Sequence, residues 1–348
     1  MQGGCGCGGD LVEAKLLPLD LYVMFDKSGS MSETTASGQS KWDAVKAAVD
    51  SFVNDPQSAG IGVGLQYFPI AAPGVPDTCT NNSQCGAFGP CDPPKGCRNS
   101  ANTITMCDTD ADCQALPGTP KTCAALGLCA NNTAYACFPA STPNCGMGLG
   151  ACQALASSCI NQTCSVSDYA TPDVLIAELP GNATNITQSL TNHTPNNGTP
   201  TRPALQGAVN YATTWANANP THTVVVLLAT DGMPNDCSSN IPAVSQVAAT
   251  GFGATPSIRT FVIGVFSPTD ITNGAQTNLD QIASAGGGQP TAFIVDTSQN
   301  VTQQFIDALN KIRKSQITCQ YAMPTASGGG TVDPNKVNMI FTDGAGNK

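Results

Sequence analysis

Leu19-Asp20-Leu21-Tyr22-Val23-Met24-Phe25-Asp26 is a nearly continuous apolar run that stops on a carboxylate, and Lys27-Ser28-Gly29-Ser30 follows directly. Eight residues is strand length. Apolar side chains at both phases of the alternation mark a strand buried on both faces, as in a parallel sheet covered by helices. A second run of this kind, THTVVVLLATDG (residues 221–232), also ends on a polar turn, Thr230-Asp231-Gly232.

Helices and further strands alternate around these two runs. SKWDAVKAAVDSFV carries Trp42, Val45, Val49, Phe52 and Val53 at helical spacing, with Ser40 as N-cap and Asp43 completing a weak capping box. IGVGLQYF (61–68) and DVLIAEL (173–179) read as strands, followed by helices near 182–192 and 200–218. Pro203 is tolerated in the first turn of the second helix. A helix over 241–249, the strand IRTFVIGVF (258–266), a helix near 279–285 closed by Gly286-Gly287-Gly288, the strand AFIVD and a helix bearing Val301, Phe305, Leu309 and Ile312 complete the series. The expected fold class is α/β, a doubly wound and mostly parallel sheet over residues 17–70 and 170–315.

Cysteine interrupts that pattern. Thirteen of the 17 cysteines lie between Cys79 and Cys164, several at intervals of six, in a stretch with three aromatics (Phe88, Tyr135, Phe138). So few large apolar side chains cannot build a sizeable core, so residues 71–169 are expected to be a disulfide-stapled, loop-dominated insertion. Zinc is the rival reading, and it is weak: the chain has no C-x-x-C pair and only two histidines, His193 and His222. Within CDTDADC, Asp108, Asp110 and Asp112 alternate as at the start of a calcium loop, but Cys113 and Thr119 stand where Gly and Glu are required. A solvated acidic turn is the preferred account of that run, with Ca²⁺ the alternative. Residues 1–16 form a Gly/Cys-rich tail, and 316–348, with ITCQYAMP and VNMIFTDG, a β-rich extension that is expected to continue past Lys348. Cys237 is expected to pair with Cys319 or with a cysteine further on.

Composition narrows the function. Fourteen Lys and Arg against 24 Asp and Glu give a net charge of −10, which argues against phosphate-neutralising nucleic-acid binding and against an anionic membrane surface. The longest apolar run, Val224–Ala229, is far short of the ~20 residues of a transmembrane helix. So many cysteines favour an oxidising compartment and hence export, with a signal already removed from a chain that opens MQGGCGCGGD. Cys5 and Cys7 raise a lipid anchor at the outer membrane, although Gln2 stands where a lipidation signal wants an apolar residue. There is no G-x-S-x-G elbow, phosphate loop, G-x-G-x-x-G helix start or H-E-x-x-H, and no enzyme is expected.

The chemistry sits at strand ends. Asp26, Ser28 and Ser30 end the first buried strand, Asp231 ends the second, and Thr199 opens a helix in Gly198-Thr199-Pro200-Thr201. In an open α/β sheet, ligands bind beyond the carboxyl ends of the strands at a topological switch point. Each of these residues alone is an ordinary loop, cap or turn residue. Together they offer only hard oxygen donors, which suit Mg²⁺ or Mn²⁺ rather than zinc. DxSGS, GTPT and TDG in this order resemble the von Willebrand factor A domain and its metal-ion-dependent adhesion site. The resemblance covers about residues 17–70 and 170–315. It implies a six-stranded sheet with one antiparallel edge strand and a Mg²⁺ ion, or Mn²⁺ or Ca²⁺, at Asp26, Ser28, Ser30, Thr199 and Asp231. GTPTRPALQGA (198–208) and LNKIRKSQITCQY (309–321) are most similar to secreted or cell-surface bacterial members.

Two carboxylates at most around a dication, with weak hydroxyl donors, leave the ion electrophilic. The expected function is therefore extracytoplasmic adhesion, in which the ion binds an acidic group of a protein or polysaccharide partner. The alternative is a structural subunit of a surface appendage or motility complex in which the ion only stabilises the fold.

Overall fold

The computed structural model describes residues 17–76, 78–98, 104–107, 110–114, 122–159, 162–196 and 198–316. Two compact units divide the chain. One takes the residues up to Phe68, Val166–Pro195 and Thr199 onward; the other takes Pro69–Ser165 with Asn196–Gly198.

The first unit runs β1 (Leu19–Asp26), α1 (Lys41–Val53), β2 (Gly62–Phe68), α2 (Val166–Tyr169), β3 (Val174–Glu178), α3 (Ala183–Asn192) and α4 (Thr201–Ala218). It continues with β4 (Thr223–Thr230), α5 (Ile241–Phe252), β5 (Arg259–Phe266), α6 (Pro268–Thr272), α7 (Ala275–Ala285), β6 (Phe293–Asp296) and α8 (Val301–Gln316). The six strands form one sheet in the order β6-β5-β4-β1-β2-β3. All neighbours pair in parallel except β3, which runs antiparallel to β2 at one edge.

All eight residues of β1 are buried, as its unbroken apolarity requires. Leu21, Val23 and Phe25 join Val225 and Leu227 of β4, Val45, Val49 and Phe52 of α1, and Phe305 and Leu309 of α8 in one core. Tyr22, at the opposite phase, lies against Tyr211 of α4 with ring centroids 4.4 Å apart. Helices α1, α3 and α8 pack together, while α2, α4, α5 and α7 pack in a separate series. Each fully buried Val, Leu or Phe in such a core is worth about 1.5–3 kcal/mol.

Local signals account for the ends of the elements. The Ser40 hydroxyl accepts the Asp43 N–H at 3.0 Å and donates to the Asp43 carboxylate at 2.8 Å, which starts α1. Helix α6, absent from the sequence reading, has its own signal in Ser267-Pro268-x-Asp270, a capping box with Pro at the first turn. Helix α5 runs three residues past the expected Ala249, to Phe252. At the antiparallel edge, a Cβ on Gly64 would come within 2.6 Å of the Ile176 backbone nitrogen, so only glycine allows β2 and β3 to approach this closely.

The second unit is built from very short strands. Lys95–Arg98 pairs with Ile104–Met106 and Ala124–Ala125, and Gly127–Cys129 pairs with Asn132–Cys137 and Cys152–Ala154. Six disulfides are described: Cys79–Cys91, Cys85–Cys159, Cys97–Cys113, Cys107–Cys123, Cys129–Cys145 and Cys137–Cys152. The sulfur is thus in cystines, which answers the zinc alternative for these twelve residues. No pair joins cysteines six apart; four of the bridges span 15 or 16 residues and interleave two by two. Cys164 and Cys237 are also disulfide-bonded, whereas Cys319 lies outside the described residues. So do Cys5, Cys7, the N-terminal tail and the expected C-terminal strands. In the acidic run, Asp110–Gln114 is a short helix and the Asp110 carboxylate accepts the Cys123 N–H at 2.8 Å. Asp108 and the side chain of Asp112 fall outside the description.

Candidate metal centre

Strand order puts the switch point between β1 and β4, because the chain leaves β1 towards β2 on one side and β4 lies on the other. Phe25 is in register with Ala229, so Asp26 and Thr230 end neighbouring strands side by side. Asp26 is fully buried; its Oδ1 accepts the Ser28 N–H at 2.7 Å and its Oδ2 accepts the Thr230 hydroxyl at 2.5 Å. The 3₁₀ turn Gly29–Ser32 then carries Ser30 back over the strand end. Ser30 Oγ donates to Asp231 Oδ1 at 2.8 Å, and Ser28 Oγ lies 3.1 Å from Ser30 Oγ and 3.5 Å from Asp231 Oδ1.

Thr199 arrives from another direction. Helix α4 begins after Pro200, which has no side chain to cap it, and the loop after β4 caps it instead. Asn235 Oδ1 and Asp236 Oδ2 accept the Thr199 N–H at 2.9 and 3.1 Å, and Ser239 Oγ accepts the Arg202 N–H at 2.9 Å. These bonds tie the start of α4 to the loop that follows Asp231. A Cβ placed on Gly232 would lie 3.4 Å from Thr199 Oγ1 and 3.7 Å from Ser30 Oγ, so both hydroxyls border the same spot beside Gly232. Asp26, Ser28, Ser30 and Asp231 therefore form one bonded cluster, with Thr199 facing it across Gly232.

Sequence reading missed three members of this neighbourhood: Thr230, Glu33 and Lys41. Lys41, the first residue of α1, is 3% exposed; its Nζ donates to Asp231 Oδ2 at 2.9 Å and to Glu33 Oε2 at 2.6 Å. A cation at the first position of a helix opposes the macrodipole, and that oddity was the available clue. His193 has no place in the cluster: its ring stacks on Tyr67, 3.9 Å between centroids, and its Nδ1 meets the Ser189 carbonyl.

Burial dominates the electrostatics. Desolvation, with the Asp231 charge added to it, pushes the Asp26 carboxyl up to about 7, against the opposing hydrogen bonds from Ser28 and Thr230. Desolvation also raises the Asp231 carboxyl, although Lys41 pulls against it. Burial works against the Lys41 ammonium, but Asp231 and Glu33 together hold its pKa above the ordinary lysine value. Lys41 is not the only buried ammonium here: Lys27, next to Asp26, is buried as well, and desolvation lowers its pKa against the pull of the Asp26 charge.

The donor set fits a small, hard dication. Carboxylate and hydroxyl oxygens are its ligands of choice. Six oxygens at 2.0–2.1 Å from one centre would lie roughly 2.9 Å from their neighbours. The separations of 2.8, 3.1 and 3.5 Å among Ser30, Ser28 and Asp231 bracket that value.

No curated protein matches the chain. Among solved structures it is similar to the pilus adhesin SpaC from Lactobacillus rhamnosus GG (TM-score 0.44, 14% identity), with 86% of this chain and 30% of that one covered. The chain thus spans under a third of the length of SpaC. It is also similar to an aerotolerance-related membrane protein from Bacteroides fragilis NCTC 9343 (0.38, 12%, covering 85% and 99%). A third similar structure is the manganese-loaded TRAP protein of Plasmodium vivax (0.34, 12%, covering 84% and 76%). Residues 164–311 match the family model of the von Willebrand factor type A domain; Thr199 and Asp231 fall within that segment, and Asp26, Ser28 and Ser30 precede it.

Proposed function

We propose that Asp26, Ser28, Ser30, Thr199 and Asp231 hold a Mg²⁺-type ion and that the protein is an extracytoplasmic, non-enzymatic adhesion or ligand-binding protein. The observation that carries this reading is the all-oxygen cluster at the β1/β4 switch point, where residues 201 to 204 positions apart in sequence converge. A dication bound there supplies an electrophilic contact for a carboxylate of a protein or polysaccharide partner.

The chain's own residues prepare that contact. Thr230 and the Ser28 N–H fix both oxygens of Asp26, so the carboxylate cannot rotate. Ser30 is half-buried, which leaves the cluster open to solvent on that side. The disulfides fit an oxidising compartment outside the cytoplasm. Among the described residues no helix is long and apolar enough to cross a membrane.

The test is a pull-down from the native cell envelope with wild type and Asp26→Ala, each with and without EDTA. Capture by wild type should be lost in chelator and in Asp26→Ala, with the far-UV circular dichroism unchanged. Capture indifferent to both treatments would defeat the adhesion-site reading. Co-purification with an assembly that survives EDTA would instead mark a structural subunit.

A further inference from the structure

We infer that Lys41 determines which dication the cluster accepts, by engaging one oxygen of Asp231 and leaving only the other for the ion. This rests on the metal-site reading proposed above.

Lys41 stands where a lysine is doubly disfavoured, buried and at the positive end of α1. It is nevertheless fixed at three points. Its Nζ reaches Asp231 Oδ2 at 2.9 Å and Glu33 Oε2 at 2.6 Å, and its backbone N–H donates to the Glu33 carbonyl at 2.9 Å. The Asp231 carboxylate is thereby divided. Oδ2 serves the ammonium, while Oδ1 faces Ser30 and Ser28 at 2.8 and 3.5 Å. Asp26 is restrained in a comparable way, with Ser28 N–H on one oxygen and Thr230 on the other.

The consequence differs between ions. Ca²⁺ takes six to eight oxygens at about 2.3–2.6 Å and gains from carboxylates that offer both oxygens, whereas Mg²⁺ takes six at about 2.0–2.1 Å. A lysine that occupies Oδ2 removes the two-oxygen contact and so counts against the larger ion. Removing the ammonium has two effects. The lost positive charge strengthens both dications alike and cancels in the ratio of their affinities. The freed oxygen favours Ca²⁺ alone and does not cancel.

The experiment measures Mg²⁺ and Ca²⁺ dissociation constants by calorimetry on the full chain after chelator treatment, in wild type, Lys41→Met and Glu33→Gln. In Lys41→Met the affinity ratio should move towards Ca²⁺ by about tenfold. Glu33→Gln loosens the lysine's outer anchor and should move the ratio the same way by less. If Lys41→Met does not fold, Glu33→Gln carries the test, because that carboxylate is 62% exposed. A ratio unmoved in every folded variant, including equal tightening of both ions, overturns the role of Lys41 and leaves the metal site standing. A wild-type chain that binds neither ion overturns both.

Discussion

The α/β unit and the cysteine-rich unit are ordered by different physics. In the first, β1 buries all eight of its residues and β4 seven of eight, and the core is made of Val, Leu, Phe and Tyr. In the second, strands are two to six residues long and the small buried clusters are the cystines themselves: Cys79, Cys85 and Cys159 in one, Cys97, Cys107 and Cys113 in another. A large apolar core stabilises the folded state by removing surface from water. Cross-links act mainly by restricting the unfolded chain, worth about 3 kcal/mol for a loop of about 15 residues. A chain can thus carry an insertion with almost no hydrophobic core, provided that it folds where thiols oxidise.

The largest effect that could break this comparison comes from reduction. Under a strong reductant, amides in Pro69–Ser165 should lose essentially all hydrogen-exchange protection while β1, β2 and β4 keep theirs. Uniform loss in both units would show that the α/β core also depends on cystines. Retained protection in the insertion would show a core that the burial pattern does not reveal.

The reverse perturbation is smaller and should strike the other unit. Phe305 of α8 is fully buried, with its ring centroid 6.2 Å from that of Phe25. Phe305→Ala should cost about 3–5 kcal/mol by the loss of burial and the cavity left behind. A thermal melt under non-reducing conditions should register that loss, while peptide mapping finds the six cystines of the insertion unchanged. A melt shifted by less than about 1 kcal/mol would mean that α8 is not part of the cooperative unit.

The same contrast explains what could be read in advance. Strands such as Val224–Ala229 were legible because burial on both faces leaves an unbroken apolar signature in sequence. The 3.6-residue spacing of Val301, Phe305, Leu309 and Ile312 served equally well for α8. The cysteine pairing was illegible because each described bridge passes over at least one intervening cysteine, so the six-residue spacing of neighbours says nothing about which of them pair. At the site, Asp26, Ser28, Ser30 and Asp231 stood out as oxygen donors at strand ends. Lys41 did not, because its partner Asp231 lies 190 positions away and only the β1/β4 register brings them together. Asn235, Asp236 and Ser239 were hidden for the same reason, since they cap a helix that begins earlier in the chain.

The smallest predicted effect separates the units by charge. A carboxyl whose pKa is higher in the folded than in the unfolded chain holds more protons when folded, so stability falls as pH rises between the two values. For Asp26 that window runs from the unfolded value of about 4 to about 7 in the folded chain. Chelated protein should therefore be more stable near pH 5 than near pH 7.5, by on the order of 2 kcal/mol after allowance for the coupling to Asp231. The gain is complete only below the unfolded value, and the lowered carboxyls of Asp43 and Asp296 remain ionised at pH 5 and do not oppose it. Saturating Mg²⁺ should abolish the slope, and Asp26→Asn should flatten it without metal. Among the described residues the cysteine-rich unit has no fully buried carboxylate, so its protection should not follow pH across this window. A slope that persists in Asp26→Asn would pass the titration to Asp231, whose carboxyl burial also raises, and one that appears equally in both units would place the titrating group somewhere other than the β1/β4 switch point.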